Sequence, residues 1–144
     1  MKKKIKIAVV GIGLMGSQHL KALNLSKRAK LHSIVDLNKK SELHAKKFKV
    51  PFYRSSKYLL KDNKPDAVIV ATPNQFHEKH TISFLNEKIP VLLEKPISNS
   101  ISKAKKIIQS SKKNKKPDAV IVATPNQFHE KHTISFLNAK IPVL

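Results

Sequence analysis

All three glycines of this 144-residue chain, Gly11, Gly13 and Gly16, fall within six consecutive positions. A β-branched apolar run, Ile5, Ile7, Val9 and Val10, leads into them, and Leu20 and Leu23 follow at helical spacing. Strand, glycine turn and helix in that order is the context in which G-x-G-x-x-G predicts a dinucleotide-binding turn. Gly11 permits the tight bend, and Gly13 lacks the Cβ that would hold a pyrophosphate off the backbone. Gly16 lets the helix approach the strand. That helix, opened by Leu14 and Met15, turns its free N–H groups and positive dipole end towards the phosphates.

The rest of the chain alternates in the same way. Lys30 to Val35 reads as a second strand ending at Asp36, 20 residues beyond Gly16. An acidic side chain at that distance accepts hydrogen bonds from adenosine ribose hydroxyls. It also repels a 2′-phosphate and so favours NAD over NADP, a preference that Lys39 and Lys40 soften. The plainer reading, Asp36 as a helix cap, is compatible with both. A short helix is expected from about Asn38 to Lys47, a third strand at Pro51 to Tyr53, and a brief helix from Ser55 or Ser56 to Asp62. Asp66 to Ala71 is a continuous apolar run of the kind that a parallel strand buried on both faces requires.

That run breaks at Thr72-Pro73-Asn74. A helix from Phe76 to Asn86 follows, with Phe76, His80 and Phe84 at spacings of four. Pro90 to Leu93 is the next strand, ending at Glu94-Lys95-Pro96, and a last helix from Ser100 to Lys113 carries Ile101, Ala104 and Ile108. This alternation predicts an α/β, doubly wound parallel sheet of Rossmann type. Ligands bind such sheets beyond the carboxyl ends of the strands, where the glycine turn, Asp36, Thr72 to Asn74 and Glu94-Lys95 all fall.

Composition bounds the function. With no cysteine, disulfides and thiolate metal sites are excluded and a reducing compartment is compatible. No apolar run approaches the ~20 residues of a membrane span. Met1-Lys2-Lys3-Lys4 before an apolar stretch imitates a signal peptide. However, Lys6 interrupts the run and no A-x-A site follows, so a cytoplasmic protein is expected. The net charge of +20 invites a nucleic-acid reading, yet only Arg28 and Arg54 among the 29 basic residues are arginine. No aromatic residues interleave with the lysines, so a solvated basic surface with weak, salt-sensitive polyanion adhesion is expected instead of specific nucleic-acid readout. His77 and His80 stand three apart in H-E-K-H, whereas the zinc-protease motif needs four, and no metal is expected.

Taken together, G-I-G-L-M-G-x-x-H, the strand-end Asp36, A-T-P-N-x-x-H and E-K-P resemble the Gfo/Idh/MocA oxidoreductases from Lys4 to about Lys113. The resemblance implies NAD(P)-dependent hydride transfer with a hydroxyl carbon of a sugar, sugar nucleotide or polyol. Around the cofactor it places Gly11, Gly13, Leu14, Met15, Gly16, Asp36 and Ala71. Thr72, Pro73, Asn74 and His77 fall on the nicotinamide side, and Glu94 at the nicotinamide ribose. It makes Lys95 the catalytic residue, handling the substrate hydroxyl proton, a role open to a lysine in a dry, cationic site. His19 has the family's spacing but reads equally as a packed helix histidine, and the isomer of the Lys95–Pro96 bond is open.

The chain also departs from that pattern. Lys64 to Leu92 recurs as Lys116 to Leu144, 29 residues differing only at Glu87 against Ala139. Ancient structural repeats drift at exposed positions, and these have not. The expected organisation is an NAD(P)-binding domain over 1–115 followed by the duplicate at 116–144, without the family's C-terminal substrate domain. Within the duplicate, Asp118 to Ala123 is a candidate sixth strand, His129 to Asn138 a crossover and Ile141 to Leu144 an edge strand; competition with the first copy for the fourth-strand slot, or exchange into a second copy of the chain, are the alternatives. For these residues alone, cofactor binding without efficient turnover is expected beside the dehydrogenase reading, with a basic polyanion-binding protein as a third. A sugar or polyol substrate and a homo-oligomer are the partners left open.

Overall fold

The computed structural model describes residues 3–114. The duplicate at 116–144, with its candidate sixth strand, crossover and edge strand, lies outside the described residues.

The first strand, β1 (Ile5–Val10), leads through the glycine turn into α1 (Leu14–Leu25), and β2 (Ala29–Val35) follows. A 3₁₀ turn at Lys39–Ser41 runs into α2 (Glu42–Phe48), then β3 (Phe52–Tyr53) and α3 (Ser56–Asp62). Next come β4 (Ala67–Val70), a 3₁₀ turn at Asn74–Phe76, α4 (His77–Asn86), β5 (Val91–Leu93) and α5 (Ile101–Asn114). The five strands form one sheet in the order β3-β2-β1-β4-β5, and every pairing is parallel. The order in which strands are added therefore reverses between β1 and β4, the switch point at which such sheets bind ligands.

Side chains alternate along each strand, so the central strands feed two cores. Val9, Ile34 and Ile69 pack with Leu20 and Leu23 of α1 and Ala45 of α2. On the opposite face Ala8, Val10, Val35, Val68 and Val70 pack with Leu59 of α3, Phe84 of α4 and Ile89. A strand such as β4 must be apolar on both sides to serve both cores, which is why its sequence is unbroken and not alternating.

Two expected helix faces are corrected. In α4 the buried residues are His77, Thr81 and Phe84, while Phe76 is exposed in the preceding 3₁₀ turn. In α5 the buried residue is Ile107, whereas Ile101 is 78% and Ile108 45% exposed. The α5 helix rests on α4, tied by Lys106 to Glu78 at 3.4 Å and Asn114 to Asn86 at 3.3 Å. No described helix is long and apolar enough to cross a membrane.

Candidate functional site

At the carboxyl edge the glycine turn leaves β1 and passes over the tip of β4. Gly11 has φ +89°, and a Cβ there would stand 2.8 Å from Ala71 O and from Thr72 N and Cα. A Cβ on Gly16 would lie 1.9 Å from Gly11 O, so α1 is seated directly on the turn. At Gly13 a Cβ would meet nothing within 4 Å. The protein itself thus demands glycine at 11 and 16. At 13 it leaves open space, which is what a diphosphate lying against the backbone needs.

That space faces the start of α1. Gly13 is the N-cap, no side chain caps the helix and no acid sits in its first turn. The first intrahelical bond runs from Ser17 N–H to Gly13 O, leaving the N–H groups of Leu14, Met15 and Gly16 without helical acceptors. Leu14 is 79% exposed and Met15 is exposed beside it, so nothing apolar seals that end. Uncapped donors, open space and a positive dipole end suit an anion.

Asp36 is busier than a free ribose acceptor. Its Oδ2 accepts from Ile12 N–H at 2.7 Å and from the Ser41 hydroxyl at 3.1 Å, and its Oδ1 from Asn38 N–H at 2.8 Å. It therefore ties the glycine turn to the end of β2 and also turns its own loop. Of a carboxylate's roughly four acceptor positions, about one is left.

The tips of β4 and β5 converge on the same edge. Ala71 N–H donates to Val10 O and Glu94 N–H to Val70 O, at 2.8 and 2.9 Å. Pro73 is exposed and Asn74 half-buried, while Thr72 Oγ1 is buried with no hydrogen-bond partner among the described residues. The His77 side chain does not line the open edge. It is 1% exposed, with Nε2 at 2.7 Å from Thr72 O and Nδ1 at 3.0 Å from Pro96 O. Both oxygens only accept, so a ring carrying hydrogen on both nitrogens bonds both carbonyls and a neutral ring bonds one. His77 thus braces the β4 and β5 tips against each other with a buried side chain.

Glu94 does reach the edge, and there Oε1 accepts from His19 Nε2 at 2.6 Å. That contact joins α1 to the end of β5. The sequence carried a signal for it: His19 lies three residues after Gly16 and so on the same face of α1. Lys95 is exposed, its bond to Pro96 is cis, and among the described residues no carboxylate lies within 4 Å of its amine. His80 meets Ser56 Oγ at 2.9 Å. Burial holds its ring below the usual histidine range, and the Lys79 and His77 charges push the same way.

A family model described as "Oxidoreductase family, NAD-binding Rossmann fold" matches residues 5–117 and again 108–144. The chain belongs to the Gfo/Idh/MocA oxidoreductases. Among its relatives in this family, the inositol 2-dehydrogenase of Arthrobacter sp. (strain FB24) is 31% identical over 119 residues, covering 78% of this chain and 34% of the relative. The apo scyllo-inositol dehydrogenase of Lactobacillus casei superposes with a TM-score of 0.73 at 26% identity, over 78% of this chain and 34% of that one. The WlbA dehydrogenase of Bordetella pertussis, solved with NADH and UDP-GlcNAcA, shares the fold at a TM-score of 0.74 and 24% identity, over 78% and 35% of the two chains. The chain spans about a third of the length of the curated relatives it matches.

Proposed function

We propose that this domain holds NAD(P) along the carboxyl edge of its sheet, and that it derives from a dehydrogenase acting on a sugar, sugar nucleotide or polyol hydroxyl. One observation carries the reading. Of the three glycines, only Gly13 has no protein neighbour to account for it, and it sits under the uncapped start of α1. The backbone N–H groups of Leu14, Met15 and Gly16 bind the diphosphate, and the remaining acceptor position of Asp36 holds an adenosine ribose hydroxyl. Glu94, oriented by His19, accepts from the nicotinamide ribose, with Thr72, Pro73 and Asn74 beside it.

The bound cofactor supplies a hydride acceptor or donor. Lys95 stands at the tip of β5 with its amine free of carboxylate partners, placed to take the proton released from a substrate hydroxyl. Excluding water from that step requires cover over an exposed lysine, so these residues by themselves bind cofactor better than they turn over substrate.

Titration with NADH, followed by nicotinamide fluorescence, tests the reading. Saturable enhancement is expected, with Gly13→Val abolishing it while the circular dichroism spectrum is retained. No response from the unmodified chain would remove both the binding and the dehydrogenase readings. Reduction of NAD by a polyol panel, lost in Lys95→Ala, would establish turnover.

A further inference from the structure

Among the described residues the sheet ends at β5. Val68 N–H bonds Pro90 O and Glu94 N–H bonds Val70 O, so Pro90, Leu92 and Glu94 turn their backbone groups towards β4. The intervening Val91 and Leu93 turn theirs outward, where no described strand meets them. This edge is apolar as well: Leu92 is exposed, and Val91 and Leu93 are half-buried. The neighbouring helix α5 rests on α4 and buries Ile107, leaving Ile101 and Ile108, seven positions apart and so on one face, uncovered. An unpaired edge beside an apolar helix face is a template for a further strand.

The sequence after α5 fits that edge. The α3 helix ends at Asp62, and four residues, Asn63-Lys64-Pro65-Asp66, carry the chain into β4 (Ala67–Val70). The α5 helix ends at Asn114, and again four residues, Lys115-Lys116-Pro117-Asp118, lead to Ala119-Val120-Ile121-Val122, the sequence of β4. The duplicate thus repeats the helix-to-strand spacing of its original as well as its residues. Asn114 meets Asn86, the last residue of α4, at 3.3 Å, and β5 starts four residues beyond Asn86. The chain therefore leaves α5 at the amino end of β5, where a strand running parallel to it must begin.

We propose that residues 119–122 dock on the outer edge of β5 in the same molecule, as a parallel strand against the uncovered face of α5. The β4 strand shows the pairing that this sequence makes, with Val68, Ile69 and Val70 opposite Val91, Leu92 and Leu93. An unbroken β-branched run suits a strand buried on a helix-covered sheet, and Ile101 and Ile108 supply the cover. Four residues reach up to about 13 Å, against roughly 4.8 Å between neighbouring strands. So short a tether holds the run near the edge at an effective concentration on the order of mM, which favours the same molecule over a second copy. The slot of the original is already filled, because β4 pairs with β1 and β5 and continues from α3 and towards α4. Docking makes β5 an interior strand, so that the Glu94-Lys95 tip is held from both sides. None of this depends on what the carboxyl edge binds.

Amide hydrogen exchange of the full chain, followed residue by residue by NMR, tests the proposal. The Val91 and Leu93 amides are expected to exchange at least about 100-fold more slowly than free peptide amides. The double variant Val120→Asp with Ile121→Asp is expected to speed both at least about tenfold. The Ala71 amide, bonded to Val10 O across the sheet centre, is expected to stay within about threefold, which reports an intact domain. Light scattering is expected to give the mass of one chain, with protection unchanged on dilution. Rapid exchange of Val91 and Leu93 in the unmodified chain overturns the proposal, as does protection that survives the double variant. Equal acceleration of Ala71 also overturns it, since the duplicate would then occupy the β4 slot. A dimer whose dilution releases Val91 and Leu93 overturns it in favour of exchange between two copies.

Discussion

Gly13 and Gly16 make opposite demands on a methyl group. Adding one at Gly16 drives it to 1.9 Å from Gly11 O, where backbone cannot give way. Gly16→Ala is therefore expected to lower stability by about 1–3 kcal/mol or more, read as a lowered urea midpoint. Gly13→Ala meets open space and should hold stability within about 1 kcal/mol while weakening NADH at least tenfold. A variant pair that loses folding and binding together at both positions would contradict this division. Spacing alone made the three glycines legible. The brace formed by His77 was not, because a histidine's partners depend on where two loops remote in sequence come together. Truncating it in His77→Ala strands the Thr72 and Pro96 carbonyls and is expected to cost about 2–4 kcal/mol in chemical denaturation.

The order and type of the helices and strands could be read from periodicity, but the faces the helices bury could not always. On α4 a spacing of four advances about 40° per step, so Phe76, His80 and Phe84 spiral away from one another. A four-then-three step, as in His77, Thr81 and Phe84, returns to one line. On α5 the apolar stripe of Ile101 and Ile108 is real, but the neighbour that α4 offers lies on another side, where Lys106 and Asn114 meet it and Ile107 is buried. Caps show a different economy. With every glycine used in one turn, α2 ends on Lys49 at φ 55°, a left-handed position that suits glycine. Lys49→Gly is expected to raise stability by about 0.5–1 kcal/mol in urea unfolding. His80, between α3 and α4, ties stability to pH. Its folded-state ring sits below the usual histidine range, so the unfolded chain binds the extra proton first. Stability should be full above about pH 6.5 and fall as the pH drops below it. Urea midpoints at pH 7.5 and 5.5 are expected to show a shallower decline in His80→Gln.

At the scale of the whole chain, the duplicated stretch differs from its original only where Glu87 is replaced by Ala139. Glu87 pairs with Lys64 at 2.7 Å, but both side chains are about half exposed. Glu87→Ala, which makes the two stretches identical, is expected to cost under about 1 kcal/mol by thermal melting, with little change in the transition's shape. The doubly wound parallel sheet followed from alternation and right-handed crossovers, and the family comparison bears out the fold. The cleft that Lys39 and Arg54 both line did not follow, because the pairing of β2 with β3 brings their segments side by side.

The bond between His19 and Glu94 spans 75 positions, from the first helix to the end of the last described strand. A nascent chain carrying the glycine turn but not yet Glu94 lacks this clasp, so α1 is tied to the tip of β5 only when that strand docks. Cofactor captured through both halves would then lock the earliest-made and latest-made parts of the domain together and raise its melting temperature, making the ligand a reporter of completed assembly.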